Sequence, residues 1–378
     1  MNKKLAILAV VVVAVLLVGG VMVSGVLNPT NSAKGTIKYT DVAPVNQQAY
    51  MQQGLIDGGV SWEPYVSDSV SNGTAHTLVT SHELWPNHPC CVLAASNSFL
   101  HDNSPAVLKV LKAHIEANRW IAETLANKDT SSGLANYTLL LKIGADFSAR
   151  NTTVVGLSLQ NMVLTYNLTA QGNTYLKTFT QDYIDSGLIL NNTLSQREFA
   201  SIDAFLAAFV NTTALTQANA LTPVTAGSEL TEVSIGYLQG DLHQFARVVA
   251  ENKTVGSLLG LGDRSLFAAY GIKTVNPTGM PASGYANGGA VMTAFSQGVV
   301  NMAYLGAPPT ILNRLNLNVG VTVMALANTE GSALVVKNSV TDINHLDGLI
   351  IGEPGPSSIQ YLMLLEIARQ HGYTIVKN

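Results

Sequence analysis

Apolar residues recur at helical spacing over one long stretch of the chain. From Pro105 to Asn127 they return every three to four residues, and Ser104 and Pro105 stand where helices favour an N-cap and a first-turn proline. This pattern predicts an amphipathic helix. Residues 136–214 continue in helical patterns interrupted by Asn, Thr and Gly, and Leu215 to Ser228 reads as a linker.

Short apolar runs of strand length occupy much of the remaining sequence. Gly35 to Val42 is the first, and after the linker Val233 to Leu238, Val299 to Leu305 and Val321 to Ala327 alternate with helical runs such as Leu242 to Ala250. Strands that alternate with helices are typical of an α/β fold with a largely parallel sheet. We therefore expect an α/β body that begins near residue 35.

The longest uncharged stretch, Leu5 to Leu27, follows Lys3 and Lys4. It is long enough to span a bilayer, and the two lysines favour a cytoplasmic location for its N-terminal end. It is predicted to be a retained membrane anchor or a cleaved export signal, and the lack of a clean A-x-A cleavage motif favours the anchor. With the polar tether Asn28 to Lys34 it forms an export element, residues 1–34. The body is expected to be extracytoplasmic, either membrane-anchored or secreted.

The charge composition excludes two classes of function. Lys and Arg number 20 and Asp and Glu number 24 among 378 residues, for a net charge of -4 at pH 7. Nucleic acid is not expected as a partner, because no basic field is available to hold a phosphate backbone. A polytopic channel is excluded because no second uncharged stretch is long enough to cross a bilayer. Seven N-x-[ST] sequons fit an exported glycoprotein, at Asn72, Asn136, Asn151, Asn167, Asn191, Asn211 and Asn252.

A short internal repeat indicates two similar lobes. The string Gln53 to Asp57 precedes Trp62-Glu63-Pro64, and the similar string Gln297 to Asn301 precedes Gly306-Ala307-Pro308. The offset is constant, because 297 − 53 and 308 − 64 both equal 244. In each copy a helix is predicted to end at Gln-Gly, and a strand with a proline turn at its carboxyl end follows. Ligands of open α/β sheets bind beyond the carboxyl ends of strands, so both turns are expected to face one cleft.

Four segments resemble the periplasmic solute-binding proteins of ABC importers, in the nitrate, sulfonate and taurine (thiamine-precursor-like) group. They are Ile235 to His243 (IGYLQGDLH), Met302 to Pro309 (MAYLGAPP), Glu353 to Ser358 (EPGPSS) and Asp57 to Tyr65 (DGGVSWEPY). The resemblance covers nearly everything after residue 35. It implies a two-lobed, type II-like binding-protein fold, α/β in both lobes, that closes on a solute around a hinge.

The order of the segments departs from that family. There, the segment like 231–378 normally opens the mature protein and the segment like 36–214 follows, whereas here the two are exchanged. We interpret the exchange as a circular permutation, which predicts that Tyr373 to Val376 lies beside or end-to-end with Thr36 to Val42. A fragment of two tandem copies is the alternative.

This interpretation also divides the body. Residues 35–222 are expected to form mostly lobe 2 together with the helical region, and residues 223–378 mostly lobe 1. The hinge is expected in two crossover segments. One is the stretch around His82 to Val92, and the other is the place where Ile375 to Lys377 meets Thr36 to Tyr39.

The candidate ligand residues follow strands or begin helices, where backbone N–H groups and polar side chains are exposed. Each also has a structural alternative: Asp241 and Ser358 as helix caps, His243 as a buried structural histidine, and Asn328 as part of an Asx turn. The expected ligand-binding residues are Gln239, Gly240, Asp241, His243, Gly306, Ala307, Pro308, Asn328, Glu330, Ser357 and Ser358 from one lobe, and Trp62 and Glu63 from the other.

The two cysteines, Cys90 and Cys91, are adjacent and are expected to be small apolar residues at the start of a strand, with a strained vicinal disulfide as the alternative. Metal binding by this pair would need further thiols that the chain lacks. A site made from the candidate carboxylates and His243 matches no local metal motif. No catalytic motif is present either, so we expect no metal, no cofactor and no enzymatic activity.

The resemblance implies an extracytoplasmic protein that captures a small polar solute, nitrate-, sulfonate- or taurine-like, and delivers it to an ABC permease in the membrane. The candidate site contains carboxylates but neither Arg nor Lys, which leaves a zwitterionic, amino-pyrimidine or cationic solute open. One alternative is a surface-anchored sensor or adhesive module of the same fold. Another is an enzyme similar to the thiamine-pyrimidine synthases, which use pyridoxal phosphate and whose cysteine-rich motif is longer.

Overall fold

The structure, a computed structural model, describes residues 34–378. The predicted export segment Leu5 to Leu27 therefore lies outside the described residues. Between residues 34 and 378, each helix is too short or too polar to cross a bilayer.

The strands of the described residues carry the numbers β1 to β13. They are β1 (Gly35–Asp41), β2 (Gly58–Trp62), β3 (Ala75–Thr80), β4 (Cys91–Ser96), β5 (Met162–Leu164), β6 (Thr231–Gly236), β7 (Ile272–Val275), β8 (Met302–Gly306), β9 (Val321–Leu326), β10 (Asn328–Glu330), β11 (Ser332–Lys337), β12 (Ile350–Glu353) and β13 (Tyr373–Lys377).

The α-helices of the same part of the chain carry the numbers α1 to α17. They are α1 (Pro44–Gln52), α2 (Tyr65–Ser71), α3 (Ser81–Leu84), α4 (Asn97–Asp102), α5 (Ser104–Ala126), α6 (Leu134–Ser148), α7 (Thr152–Ser158), α8 (Ala170–Asp185), α9 (Thr193–Gln196), α10 (Ile202–Phe209), α11 (Ala214–Asn219), α12 (Phe245–Glu251), α13 (Lys253–Leu258), α14 (Leu266–Ala269), α15 (Gly288–Ser296), α16 (Ala307–Asn316) and α17 (Ile359–His371). Single 3-10 turns lie at Leu242–Gln244 and Ile343–His345.

The strands form two large sheets and a short ladder. The first sheet has six strands in the order β13-β1-β12-β2-β11-β3, the second has five in the order β7-β6-β8-β4-β9, and β10 pairs with β5. Helices follow most strands, so the predicted α/β class is confirmed. Every residue of β9 (VTVMAL) is buried, which explains why this strand reads as a continuous apolar run rather than an alternating one.

The prediction of a largely parallel sheet needs correction. In the first sheet β11 runs antiparallel to both β2 and β3, and in the second sheet β4 runs antiparallel to both β8 and β9. These are the two strands that arrive from the other sheet. Each of these strands enters its new sheet at the end where the chain crosses over. It therefore runs in the direction opposite to its neighbours.

The predicted division near residue 222 does not separate the two sheets. The first sheet takes β1–β3 from before that position and β11–β13 from after it, and the second takes β4 from before and β6–β9 from after. One crossing, from β3 to β4, falls in the predicted stretch His82 to Val92. The other runs through β10, and not where Ile375 to Lys377 meets Thr36 to Tyr39, because β1 and β13 both belong to the first sheet.

The internal repeat corresponds to equivalent structure in the two sheets. Gln53 follows the last residue of α1 and Gln297 follows the last residue of α15, and a strand comes next in each case. The bounds of β2 and β8 keep the offset of 244, because 302 − 58 and 306 − 62 both equal 244. Each of these strands lies between one parallel and one antiparallel neighbour. The equivalent placement of Gln53 and Gln297 is therefore confirmed.

The predicted neighbourhood of β13 and β1 is also confirmed. They pair in parallel, with Gly35 opposite Tyr373 and Tyr39 opposite Lys377. The two strands lie side by side rather than end-to-end. The circular permutation that motivated the expectation stays a prediction.

The long helix α5 crosses the core as its apolar spacing predicts. It begins at Ser104, so this residue is the first helical residue and Asn103 takes the cap position without a side-chain capping bond. Val107, Leu111 and Ile115 of its apolar face are fully buried. Burial of each such side chain stabilises the fold by about 1.5–3 kcal/mol. The predicted linker from Leu215 overlaps α11, so its first residues are helical.

Candidate functional site

The two crossing segments run beside each other and carry most of the predicted site. The amide of Cys90 donates to the carbonyl of Asn328 over 3.2 Å, and the amide of Ala327 donates to the carbonyl of Cys91 over 2.8 Å. The amide of Ala307, the first residue of α16, donates to the carbonyl of Cys90 over 2.8 Å. These bonds bring the starts of β4, β10 and α16 to one place.

Asp241 and His243 are buried directly after β6. Asp241 Oδ1 accepts the backbone N–H of His243 over 2.9 Å and so caps the 3-10 turn Leu242–Gln244. His243 Nε2 lies 2.9 Å from the carbonyl oxygen of Gly331. A carbonyl can only accept, so Nε2 carries a proton, and Nδ1 faces the two cysteines.

The two thiols complete what we call the thiol–imidazole cluster, Cys90, Cys91, Asp241 and His243. Cys90 Sγ lies 3.3 Å from His243 Nδ1, and Cys91 Sγ lies 4.0 Å from the same nitrogen. Cys91 Sγ also lies 3.8 Å from Asp241 Oδ2. The cysteines are reduced in the structure and are 1% and 3% exposed.

The cluster shifts the protonation of its own members. The hydrogen bond from Cys91, with the nearby charge of His243, holds the pKa of Cys90 well below its usual range, and the same hydrogen bond raises the pKa of Cys91 well above it. Burial lowers the pKa of His243, but the charges of Cys90 and Asp241 outweigh burial and raise it to about 9. Both shifts favour the negatively charged form of Cys90 beside the protonated form of His243. Such a thiol can act as a nucleophile, and the two groups can ligate a soft metal ion once the imidazole has lost a proton.

Asn328 and Glu330 hold the crossing segments together. Asn328 Oδ1 accepts the N–H of Cys91 over 2.9 Å, and its amide group donates to the carbonyl of Glu330 over 3.0 Å. Glu330 Oε1 accepts the N–H of Asn87 over 2.5 Å and lies 2.7 Å from His82 Nδ1. Both predicted ligand residues are thus engaged in bonds within the protein.

Glu63 bonds through its backbone to the cluster region and through its side chain elsewhere. Its carbonyl accepts the N–H of Leu242, and its amide donates to Gly331. The carboxylate is fully buried and accepts four bonds of 2.6–3.1 Å, from the amide and hydroxyl of Ser67, the hydroxyl of Ser158 and the side chain of Asn161. Burial raises its pKa, which these four donors partly offset.

Trp62 and Gln239 lie close to Tyr65 of α2. The indole of Trp62 is edge-on to the Tyr65 ring at 6.5 Å, and its buried N–H has no hydrogen-bond partner among the described residues. The Tyr65 hydroxyl donates to the carbonyl of Gln239 over 2.8 Å, and Gly240 packs against the same hydroxyl. The segment after β6 is therefore tied to the helix that follows β2.

A second group forms where three helices begin, and we call it the three-helix junction. It consists of Gly288 and Gly289 of α15, Pro309 of α16 and Ser357 before α17. A Cβ at Gly288 would overlap the ring of Pro309, and a Cβ at Gly289 would lie 3.5 Å from Ser357 Oγ. At Gly288 only glycine lets α15 and α16 approach this closely, whereas the contact that a Cβ at Gly289 would make with Ser357 is an ordinary one. Both glycines and Ser357 are partly exposed.

Helices of both sheets contribute to this junction. α15 and α16 flank β8 of the second sheet, and α17 connects β12 and β13 of the first. Gly306 and Pro308 stand at the start of α16, as cap and second residue. Ser358 caps α17 by accepting the N–H of Tyr361 over 3.0 Å, so its structural alternative is the role observed.

Glu353 lies beside the junction and was not predicted. Its Oε2 accepts the N–H of Gly355 over 2.6 Å and lies 3.5 Å from Ser358 Oγ, whereas its Oε1 is buried without a partner among residues 34–378. Burial raises the pKa of this carboxyl to about 8. It is therefore protonated at pH 7 and presents an O–H group instead of a charge.

The predicted residues therefore fall into two groups that share α16. Asp241, His243 and Asn328 join the two cysteines, while Ser357 and Ser358 belong to the three-helix junction. Sequence reasoning missed the cysteines and Glu353. The vicinal Cys90-Cys91 pair at the start of a strand was the signal available in the sequence. Only the fold shows that His243 faces this pair.

Two surface cavities lie away from these groups. One of about 350 Å³ is lined by Tyr237, Arg247, Glu251, Ser265, Thr274 and Asn276. Another of about 330 Å³ is lined by residues of α5 and the segment after it, with Leu258 and Leu259. Neither is lined by a predicted ligand residue.

Comparison with known proteins gives one similarity. Residues 2–136, less than half of the chain, match the NMT1-like family. This match supports the resemblance to the nitrate, sulfonate and taurine group and leaves the order of the halves untested. No curated protein and no solved structure matches the chain.

Proposed function

We propose that this protein is the extracytoplasmic solute-binding component of an ABC importer, and that it captures a small anionic or zwitterionic solute of the nitrate, sulfonate or taurine kind between its two sheets. The observation that carries the proposal is the three-helix junction. In this proposal Leu5 to Leu27 exports or anchors the protein, and an ABC permease receives the solute.

The junction has the electrostatic character that an oxyanion needs. Each helix N-terminus carries about half a positive charge. The starts of α15 and α17 also present backbone N–H groups without intrahelical partners. At the start of α16, Pro308 and Pro309 have no N–H, and the amide of Ala307 already donates to the carbonyl of Cys90. α15, α16 and α17 have 9, 10 and 13 residues, and their starts are linked by the approach of Gly288 to Pro309 and of Gly289 to Ser357. The hydroxyl of Ser357 adds a donor beside them. Oxyanions bind to such helix starts without any Arg or Lys.

The nearby carboxyls do not oppose an anion. Glu353 is protonated at neutral pH because of its burial. The carboxylate of Glu63 faces Ser67, Ser158 and Asn161, which satisfy it with hydrogen bonds. The candidate carboxylates that favoured a cationic solute on sequence grounds, Glu63, Asp241 and Glu330, already accept hydrogen bonds within the protein.

The position of the three-helix junction also suits the capture of a solute between the two sheets. α17 belongs to the first sheet, whereas α15 and α16 belong to the second, and two crossing segments join the sheets. A solute bound to all three helix starts would hold the sheets together, and its release would let them separate about the crossings. This is the hinge closure by which binding proteins signal occupancy to a transporter.

Calorimetric titration of the full chain with nitrate, taurine and an alkanesulfonate tests the proposal. We expect one saturable site. Ser357→Ala should weaken binding by about 1–3 kcal/mol, because a hydrogen bond to a charged group is lost. Gly289→Leu should abolish binding, because its side chain would fill the space next to Ser357.

The matched controls are Ser296→Ala, an exposed serine at the other end of α15, and Glu63→Gln. Neither should change solute affinity. Binding of an amine or a cation in preference to all three of these solutes, or equal affinity in wild type and Gly289→Leu, would contradict the proposed site.

A further inference from the structure

The thiol–imidazole cluster contains reactive side chains that the proposed solute capture does not use. Cys90 Sγ, Cys91 Sγ and His243 Nδ1 lie within 4.8 Å of one another, and all three residues are buried. The carboxylate of Asp241 adjoins them, with Oδ2 3.8 Å from Cys91 Sγ and Oδ1 3.6 Å from His243 Nδ1. Two thiols, an imidazole and a carboxylate thus converge inside the protein.

The spacing of these atoms matches a tetrahedral coordination shell. With metal–sulfur bonds of about 2.3 Å and metal–nitrogen or metal–oxygen bonds of about 2.0–2.1 Å, neighbouring ligand atoms of a zinc site lie roughly 3.4–3.8 Å apart. The distances from His243 Nδ1 are 3.3 Å to Cys90 Sγ and 4.0 Å to Cys91 Sγ. The donors are therefore already near the separations that a bound ion would impose.

The imidazole of His243 is oriented by a hydrogen bond in the same way as the imidazoles of metal-ligating histidines. Such histidines donate their second ring N–H to a carbonyl or carboxylate, which fixes the tautomer and the ring orientation. Here His243 Nε2 faces the carbonyl of Gly331 at 2.9 Å, so that Nδ1 points toward the thiols and can ligate a metal ion that displaces its proton. Gly331 adopts a φ of +86°, and a Cβ there would overlap the His243 ring, so the close approach requires glycine.

A cation would also balance the charge of the cluster. Asp241 and both cysteines are buried and have no Lys or Arg hydrogen-bonded to them among the described residues. In the metal-bound state two thiolates and a carboxylate would be buried together, which is costly without compensation, and the divalent ion itself supplies that compensation. Thiolate ligands select zinc-like ions over magnesium and calcium, which prefer oxygen ligands.

We propose that Cys90, Cys91, Asp241 and His243 form a binding site for a zinc-like transition-metal ion. The site lies at the start of β4 on one crossing, and the carbonyl that orients His243 belongs to the other crossing. The bound ion would therefore brace the two segments about which the sheets move. This site does not depend on the three-helix junction, so it can be tested without any solute.

Cobalt(II) is the probe, because its absorption reports both sulfur ligation and geometry. The reduced full chain, freed of metal with a chelator, is titrated with Co²⁺ and then with Zn²⁺. We expect one equivalent to give an intense thiolate-to-cobalt charge-transfer band and tetrahedral visible bands, and Zn²⁺ to displace both. The wild-type spectrum identifies sulfur ligands even if a variant fails to fold.

Variants identify the ligands. Cys90→Ser, Cys91→Ser and His243→Gln should each lower the affinity for Zn²⁺ by at least about 100-fold, since loss of even an outer-shell partner costs roughly 10–100-fold. His114→Gln is the matched control, a fully buried histidine whose Nε2 lies 2.8 Å from the carbonyl of Leu326 in the core. It should leave the affinity unchanged.

Three outcomes would overturn the proposal. The first is an octahedral cobalt spectrum without a sulfur band. The second is a Cys90–Cys91 disulfide that persists in reductant and prevents loading. The third is alkylation of both thiols at the same rate with and without Zn²⁺. The absence of solute binding in the calorimetric test would leave the metal site standing, and the reverse also holds.

Discussion

Single carboxyl groups show how burial changes the chemistry that a sequence suggests. Glu63 follows a strand and was expected to touch ligand, yet four donors satisfy its buried carboxylate. Glu353, which was not among the predicted ligand residues, has a buried oxygen without a partner among the described residues, beside the three-helix junction. The difference is one of surroundings, because the partners of Glu63 are up to 98 positions away in the chain.

The protonation of Glu353 gives a prediction for stability. Its pKa rises from 4.5 to about 8 on folding, so the folded protein holds a proton that the unfolded chain releases. Stability should therefore fall as pH rises from about 4.5 to 8. Glu353→Gln mimics the protonated acid and should gain stability relative to wild type across that window, with no further gain above pH 8.

Urea unfolding at pH 5, 6.5 and 8 measures this difference, with the exposed Glu232→Gln as the control. A constant difference between wild type and Glu353→Gln over the three pH values would show that the carboxyl ionises normally in the folded protein.

At the scale of elements, the pattern of neighbouring residues predicts those helix and strand bounds that local interactions determine. The bounds of α17, Ile359 to His371, follow from local signals in the sequence, because Ser358 caps its start and Gly372 ends it. β8 begins at Met302 and not at the predicted Val299. The intervening residues complete the turn after α15, where the amide of Val299 bonds back to Ala294. Apolar spacing alone does not show that turn.

The second crossing has an element-scale prediction of its own. Gly331→Ala should destabilise the protein by more than about 1 kcal/mol and disturb the His243 ring, because φ is +86° and the new Cβ would overlap the imidazole. Gly348→Ala is the matched control, since its φ is +75° but the surrounding space is open. Urea unfolding of both variants checks this, and equal losses would mean that backbone strain, and not contact with His243, sets the cost.

The whole molecule is less predictable from sequence than its parts. The repeat at an offset of 244 correctly indicated equivalent strands in two sheets. The chain nevertheless crosses between the sheets twice, so that Cys91 of β4 lies opposite Gly306 of β8, 306 − 91 = 215 positions later, and both sheets take strands from before and after residue 222. Which sheet a strand joins depends on long-range pairing, for which one sequence without its fold has no local signal. The same long-range pairing brings His243 to the cysteines.

In the proposed function a solute is held between the two sheets, and hydrogen exchange of the full chain tests this most directly. Exchange is measured by mass spectrometry with and without saturating nitrate or taurine. We predict slower exchange at the start of α15, around Gly289, and at the start of α17, around Ser358, with no change at the control helix α5. Protection at neither helix start, or at only one of them, would contradict capture between the sheets.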